Sequence, residues 1–213
     1  MRIFEFDVDQ DYAKKHNELF RDTRRLQWSA FFFGLIQLLI GWLILEWLGG
    51  EIGWIAFGLF ALFAILSFAM IVIIPRQVGT VSQVYQTYPL APAIIAEVNP
   101  RDVSLLALVD VSTTGETPKW ALAARTVSNL EGHKRAKGER VPVVAVSGRR
   151  TVSQHNAWDQ ATPVPIAWAT QDTKVIKDAV RAIPQSEWDM LVRNKDKLSE
   201  VRDTRYDLLP LKA

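Results

Sequence analysis

WSAFFFGLIQLLIGWLILEWL, from Trp28 to Leu48, and IGWIAFGLFALFAILSFAMIVII, from Ile52 to Ile74, decide the architecture of this chain. At ~1.5 Å per residue, each is long enough as a helix to cross a hydrocarbon layer of ~30 Å. Glu46 is the one charged residue in either stretch, and it sits at the loop end of the first. Lipid offers no partner to a backbone N–H or C=O, so both stretches are predicted as helices. Only Gly49, Gly50 and Glu51 separate them, which makes a two-helix transmembrane hairpin.

Basic residues flank the hairpin on one side only. Lys14, Lys15, Arg21, Arg24 and Arg25 precede it and Arg76 follows it, while the turn holds neither Lys nor Arg. Positive residues stay cytoplasmic, so a multi-pass protein of the cell (inner) membrane is expected, with both termini and the soluble part in the cytoplasm. Trp28 at one boundary and Trp42, Trp47 and Trp54 at the other suit headgroup level. A cleavable signal peptide fits poorly, because the first run starts late, is too long, and lacks a small-residue cleavage site.

Working outward, residues 1–27 read as a short strand, with Phe4, Phe6 and Val8 alternating with acids, then an amphipathic helix capped by Asp9 or Asp11. Without Gly or Pro in between, that helix is expected to run straight into the membrane as one rod. After an exit at Pro75, residues 75–89 read as a juxtamembrane linker helix that stops at Pro89 and Pro92. Residues 90–201 change character. Ala93–Val98, Val103–Val111, Lys119–Val127, Val141–Ser147 and Val164–Thr170 are apolar runs punctuated by Asn99-Pro100, Thr114-Gly115, Gly132, Gly138 and Gly148. They predict five strands in a small barrel or sandwich. Asp172 is placed to cap a helix over Thr173–Ile183, and Ser186 a second one to about Val201. Residues 202–213 form a mixed tail. The expected fold class is thus an α+β membrane protein: a transmembrane hairpin (28–48, 52–74), a five-stranded, barrel-like domain, and C-terminal helices.

A net charge of +2 gives no electrostatic case for a nucleic-acid partner. The absence of cysteine excludes disulfides, thiolate metal sites and cysteine nucleophiles.

Three segments of the soluble half carry a likeness: Tyr88-Pro-Leu-Ala-Pro92, Gly138-Glu-Arg-Val-Pro142, and Asp159–Thr170 with its two prolines. On these the chain resembles a family of corynebacterial and related actinobacterial membrane proteins of unknown function. The strand Gly138–Ser147 is also similar to strands of the oligonucleotide/oligosaccharide-fold barrels that hang from bacterial membrane hairpins. Neither resemblance implies an activity, because a fold does not by itself imply one.

Candidate functional residues are few. Gly34, Gln37 and Gly41 share one small, polar-centred face of the first helix, and antiparallel pairing brings Gln37 within a turn of Ser67. Such a face serves helix–helix docking, either inside the hairpin or against another subunit's helix. A transport role would need ionisable groups at membrane depth, and Glu46 at the boundary is an interfacial acid. Lys134, Arg135, Lys137 and Arg140, with Arg149 and Arg150 at the far end of the next strand about 20 Å away, are candidates for contact with anionic lipid headgroups or an acidic partner. His16, His133 and His155 lack metal-ligand spacing. His155 is read as a loop histidine. No nucleophile elbow, phosphate loop, dinucleotide fingerprint or acidic dyad occurs. Trp120 and Trp168 are expected in the core, with Trp158 as a third aromatic.

No enzyme, cofactor or metal is expected. The reading is a non-catalytic, membrane-anchored accessory or scaffold subunit whose partners are other integral membrane subunits and lipids. Accessory subunits of actinobacterial respiratory supercomplexes match it by analogy of size and layout. The alternative is a regulator or sensor in envelope or lipid metabolism acting through the β domain.

Overall fold

A computed structural model describes residues 3–78, 80–113, 117–148 and 156–211. The chain divides into a helical unit, Glu18–Thr80, and a body made of Met1–Asn17 with Val81–Ala213.

The helical unit holds α2 (Glu18–Leu48) and α3 (Gly50–Val78), joined at Gly49 and Gly50, whose φ angles of 59° and 56° are open to glycine. Both are long and apolar enough to cross a membrane. The apolar span of α3 ends at Ile74, next to the expected exit at Pro75, while the helix itself continues to Val78. The linker expected over 75–89 is thus divided between the end of α3 and a separate short helix over Val81–Thr87. Pro75 has no N–H for the carbonyl of Ile71 four residues back. The Gln27 side chain supplies the missing donor, with Nε2 at 2.9 Å from that oxygen.

In the body, residues 3–9 alternate between half-buried and exposed, as Phe4, Phe6 and Val8 foretold, but they form no strand. Phe6 sets its edge against the Tyr85 ring, 5.6 Å between centroids. Asp9 caps α1 (Gln10–His16) by accepting from the Tyr12 N–H at 2.9 Å. The single rod is also not formed. The chain turns extended at Asn17 (ψ 110°), because the Asn17 amide is fully buried and donates to the Tyr85 hydroxyl at 3.2 Å. The residues before the membrane helix thus belong to the body, as does α4 (Val81–Thr87), where Tyr85 sits.

A curled antiparallel sheet follows, in the order β5-β4-β1-β2-β3-β6. Its strands are β1 (Leu90–Val98), β2 (Val103–Asp110), β3 (Trp120–Val127), β4 (Arg140–Ser147), β5 (Ala161–Pro165) and β6 (Leu208–Pro210). Among the described residues the sheet has six strands rather than five, because part of the expected tail pairs with β3. The fifth strand is displaced from Val164–Thr170: it ends at Pro165, and Ile166–Trp168 is a 3-10 turn. Curling brings β5 close to β3, where Arg125 donates to the Pro163 carbonyl at 3.2 Å. The prolines obey ladder chemistry. Pro92 faces Pro142 across β1 and β4, while the β1–β2 ladder starts at Ala93 and the β4–β5 ladder at Val143. Each missing N–H therefore falls where no neighbour asks for it.

Leu105, Leu106, Leu108 and Val109 of β2 are all fully buried, so this strand is covered on both faces. That is why it reads as a continuous apolar run instead of alternating. Outer cover comes from α5 (Thr173–Ala182) on β4, α6 (Gln185–Arg193) on β1 and β2, and α7 (Leu198–Arg202) on β3. Asp172 caps α5, accepting from the Lys174 N–H at 2.7 Å. Ser186 caps nothing: α6 begins at Gln185 after Pro184, and the helix expected to reach Val201 is broken at Asn194 and by a 3-10 turn at Lys195–Lys197. The Asn194 side chain donates to the Met190 carbonyl at 2.9 Å and closes α6.

Candidate functional site

A groove of about 1320 Å³ lies at the β3–β6 end of the sheet. Four separate segments build it. Asp110 accepts from the N–H groups of Ser112 and Lys119, both at 2.9 Å, and so holds the β2–β3 connection that presents Lys119 and Trp120. The N–H of Trp158 donates to the Val111 carbonyl at 2.8 Å and brings in the second tryptophan. The end of α6 and the turn after it contribute Met190, Arg193 and Lys197. The last segment is β6, which the Leu211 N–H fastens to the Trp120 carbonyl at 2.9 Å. To reach that position the chain passes through Tyr206 (φ 65°) and Asp207 (φ 51°), a left-handed pair with no glycine. The Arg205 guanidinium lies 4.9 Å from the centre of the Tyr206 ring.

Trp120, Trp158 and Tyr206 are half-buried, so each offers part of a ring to the groove, while Lys119, Arg193 and Arg205 are exposed. Trp168 lies in the core as expected, with its indole N–H donating to the Asn129 carbonyl at 2.8 Å and Arg125 over its ring. Trp120 does not; its place at the start of β3 puts it at the rim of the sheet. The volume exceeds the ~300–1,000 Å³ of ordinary small-molecule pockets, and the lining mixes aromatic, aliphatic and basic groups. Such a surface suits an extended partner.

The residues singled out from sequence lie elsewhere. Gly34 and Gly41 are buried against α3: a Cβ on Gly34 would stand 2.6 Å from the Phe68 ring, and one on Gly41 2.8 Å from the Phe60 Cβ. The Ser67 hydroxyl is 3.0 Å from Gln37 Oε1 and 3.0 Å from the Phe63 carbonyl. This face holds the two helices together. In the basic loop, Arg135 donates to the Asn99 carbonyl and, at 3.0 Å, to that of Asp102, while Arg140 lies 4.9 Å over the Trp188 ring. Lys134 and Lys137 remain exposed. Arg149, Arg150, His155 and the turn Thr114-Gly115 lie outside the described residues. Among the described residues, no three His, Cys, Asp or Glu side chains converge as metal ligands.

The His133 side chain is 3% exposed, with Nδ1 3.6 Å from Glu139 and Nε2 without a hydrogen-bond partner among the described residues. Burial pushes its pKa below the usual imidazole value, against the attraction of Glu139. Burial likewise raises the Tyr85 hydroxyl, which donates to the Pro165 carbonyl at 2.9 Å. Burial and then the Glu131 carboxylate raise that of Tyr12, which donates to Glu131 at 2.8 Å. The Tyr85 bond ties α4 to β5, and the Tyr12 bond ties α1 to the loop that follows β3.

Arg193, Lys197, Arg205 and Tyr206 escaped sequence reading because they meet Lys119 and Trp120 only after β6 docks. The usable signal was the Leu208-Leu-Pro-Leu211 run in an otherwise polar tail.

A solved crystal structure of a candidate membrane protein from Corynebacterium diphtheriae is 48% identical to this chain, covering 57% of it and 99% of its own length with a TM-score of 0.55. No curated protein matches the chain. The family described as protein of unknown function (DUF3239) matches residues 76–199, the span holding α4, the sheet up to β5, and most of the C-terminal helices. The chain belongs to this family of actinobacterial membrane proteins.

Proposed function

We propose that the protein is a non-catalytic docking subunit of a larger membrane assembly, anchored by its hairpin and receiving a partner in the β3–β6 groove. The groove carries this reading: it is wide, half-lined by aromatic and aliphatic side chains, and rimmed by cations. The hairpin adds a second apolar surface, since Trp28, Phe32, Leu39, Leu43, Ile55 and Leu66 all face outward from the helical pair. Lipid or another subunit's helices cover such a surface. The basic residues flanking the helices support two membrane passes with the body on the cytoplasmic side. The approach of β3 to β5 supports a small barrel built on the first five strands, with β6 added at the edge. Respiratory supercomplexes are one assembly of the required kind, by analogy of size and layout.

Mild-detergent purification of the tagged protein from its native membrane, followed by mass spectrometry, tests the proposal. Stoichiometric membrane subunits are expected with wild type, and their loss on Trp120→Ala with Arg193→Glu. A lone protein carrying only lipid would sink the docking reading and favour the sensor of envelope or lipid metabolism. A reporter active only outside the cytoplasm, inserted at Gly50, is expected to be active and one fused at Met1 silent; the reverse would overturn the orientation.

A further inference from the structure

We propose, resting on the docking reading, that the groove recognises an extended acidic peptide segment of a partner protein. Among the described residues, Lys119, Arg193, Lys197 and Arg205 line it, against two carboxylates, Asp159 and Glu200. None of the four cations forms an ion pair with a carboxylate among the described residues, whereas Asp159 already has an interaction of its own. Elsewhere on the body, arginines are spent on structure. Arg202 pairs with Glu97 at 2.7 Å, Arg135 holds two carbonyls, and Arg125 and Arg140 lie over tryptophan rings. The groove thus gathers four cations without a carboxylate partner among the described residues, of which Arg205 also lies over the Tyr206 ring, and such a field draws carboxylates and fixes their register. Guanidinium groups take carboxylates in a planar, bidentate manner, and Arg193 and Arg205 stand on different walls.

Charge alone would suit many anions, but the lining narrows the choice. Trp120, Trp158, Met190, Leu209 and Leu211 leave half-buried apolar surface between the cations. A chain that alternates acidic with leucine or aromatic residues satisfies both kinds of surface. Aromatics beside basic groups also bind single-stranded nucleic acid. The aliphatic share of this lining, Met190, Leu209 and Leu211, favours a peptide over a phosphate backbone. Strand addition along β6 is disfavoured: the strand is three residues long, Leu211 bonds inward to β3, and Pro210 brings no N–H to the outer edge. Recognition falls to side chains.

The test uses the full chain in nanodiscs of zwitterionic lipid and a displayed library of random dodecapeptides. Selected sequences are expected to be enriched in Asp and Glu together with Leu, Phe or Trp. A synthetic peptide from the selection should bind the Arg193→Glu/Arg205→Glu variant at least about tenfold more weakly. Lys119→Glu alone, an exposed single change, should weaken it in the same direction. Absence of any selection, selection without acidic bias, or undiminished binding to both variants overturns the proposal. Displacement of the peptide by an oligothymidylate at equal concentration overturns it in favour of a nucleic-acid site. Membrane subunits that co-purify in a groove-dependent way without acidic peptides being selected would leave the docking reading intact and remove only the acidic class. Selected acidic peptides without co-purifying subunits would do the reverse.

Discussion

Gln27 donates its side-chain amide to the carbonyl of Ile71, the acceptor that Pro75 leaves without a backbone donor, at 2.9 Å. A proline near the end of α3 is thereby carried inside a continuous helix, and a residue on the neighbouring helix completes the ladder.

This relationship predicts a coupled pair. Gln27→Leu should destabilise the helical pair by about 1–3 kcal/mol, the usual cost of orphaning a buried acceptor. In a Pro75→Ala background, where residue 75 regains its N–H, the same change should cost little. Reversible unfolding of the full chain in bicelles, read as a double-mutant cycle, checks it; simple additivity would show that the Gln27 contact carries no weight.

Within the same pair, Gly41→Ala should cost more than Gly34→Ala. A Cβ on Gly41 meets the Phe60 Cβ, which the backbone fixes, while one on Gly34 meets only the Phe68 ring, which rotates away. Gln37→Leu should be milder than Gly41→Ala, at roughly 0.5–2 kcal/mol, since Ser67 keeps its bond to Phe63. Thermal melts in detergent rank the three, and a Gly34 variant worse than the Gly41 one would refute this packing.

The pH dependence of the body should carry a contribution from His133. Its folded pKa is lowered by burial, so the unfolded chain binds a proton more readily than the native one. Stability should therefore rise with pH between the lowered native value and the unfolded value of about 6.5, and fall as the pH drops through that window. Denaturant titrations of wild type and His133→Gln at several pH values isolate the effect. Identical slopes for the two proteins would eliminate it.

Truncation after Asp207 removes β6. Leu208 is buried and the strand closes the edge of β3, so the loss should be about 2–3 kcal/mol. The groove should lose its peptide affinity at the same time, because the truncation removes one of its walls. Melting temperature and peptide binding measured on one preparation separate the two consequences.

The hairpin, four of the strands within a few residues, the cap at Asp172 and the closeness of Gln37 to Ser67 were all legible in the chain. Each depends on spacing along a few turns or on the length of an apolar run, and such signals are local. What the tertiary structure decided is long-range. The helix breaks at Asn17 because a side chain far along the sequence, Tyr85, buries its amide. Pro75 stays helical because Gln27 reaches Ile71 across the pair. The tail becomes a strand because β3 has an open edge, and only then do Lys119, Trp120, Arg193 and Arg205 surround one groove. Hydrophobic pattern and turn chemistry act between near neighbours, whereas a binding surface assembled from four segments exists only once the sheet has curled and its edge has been filled.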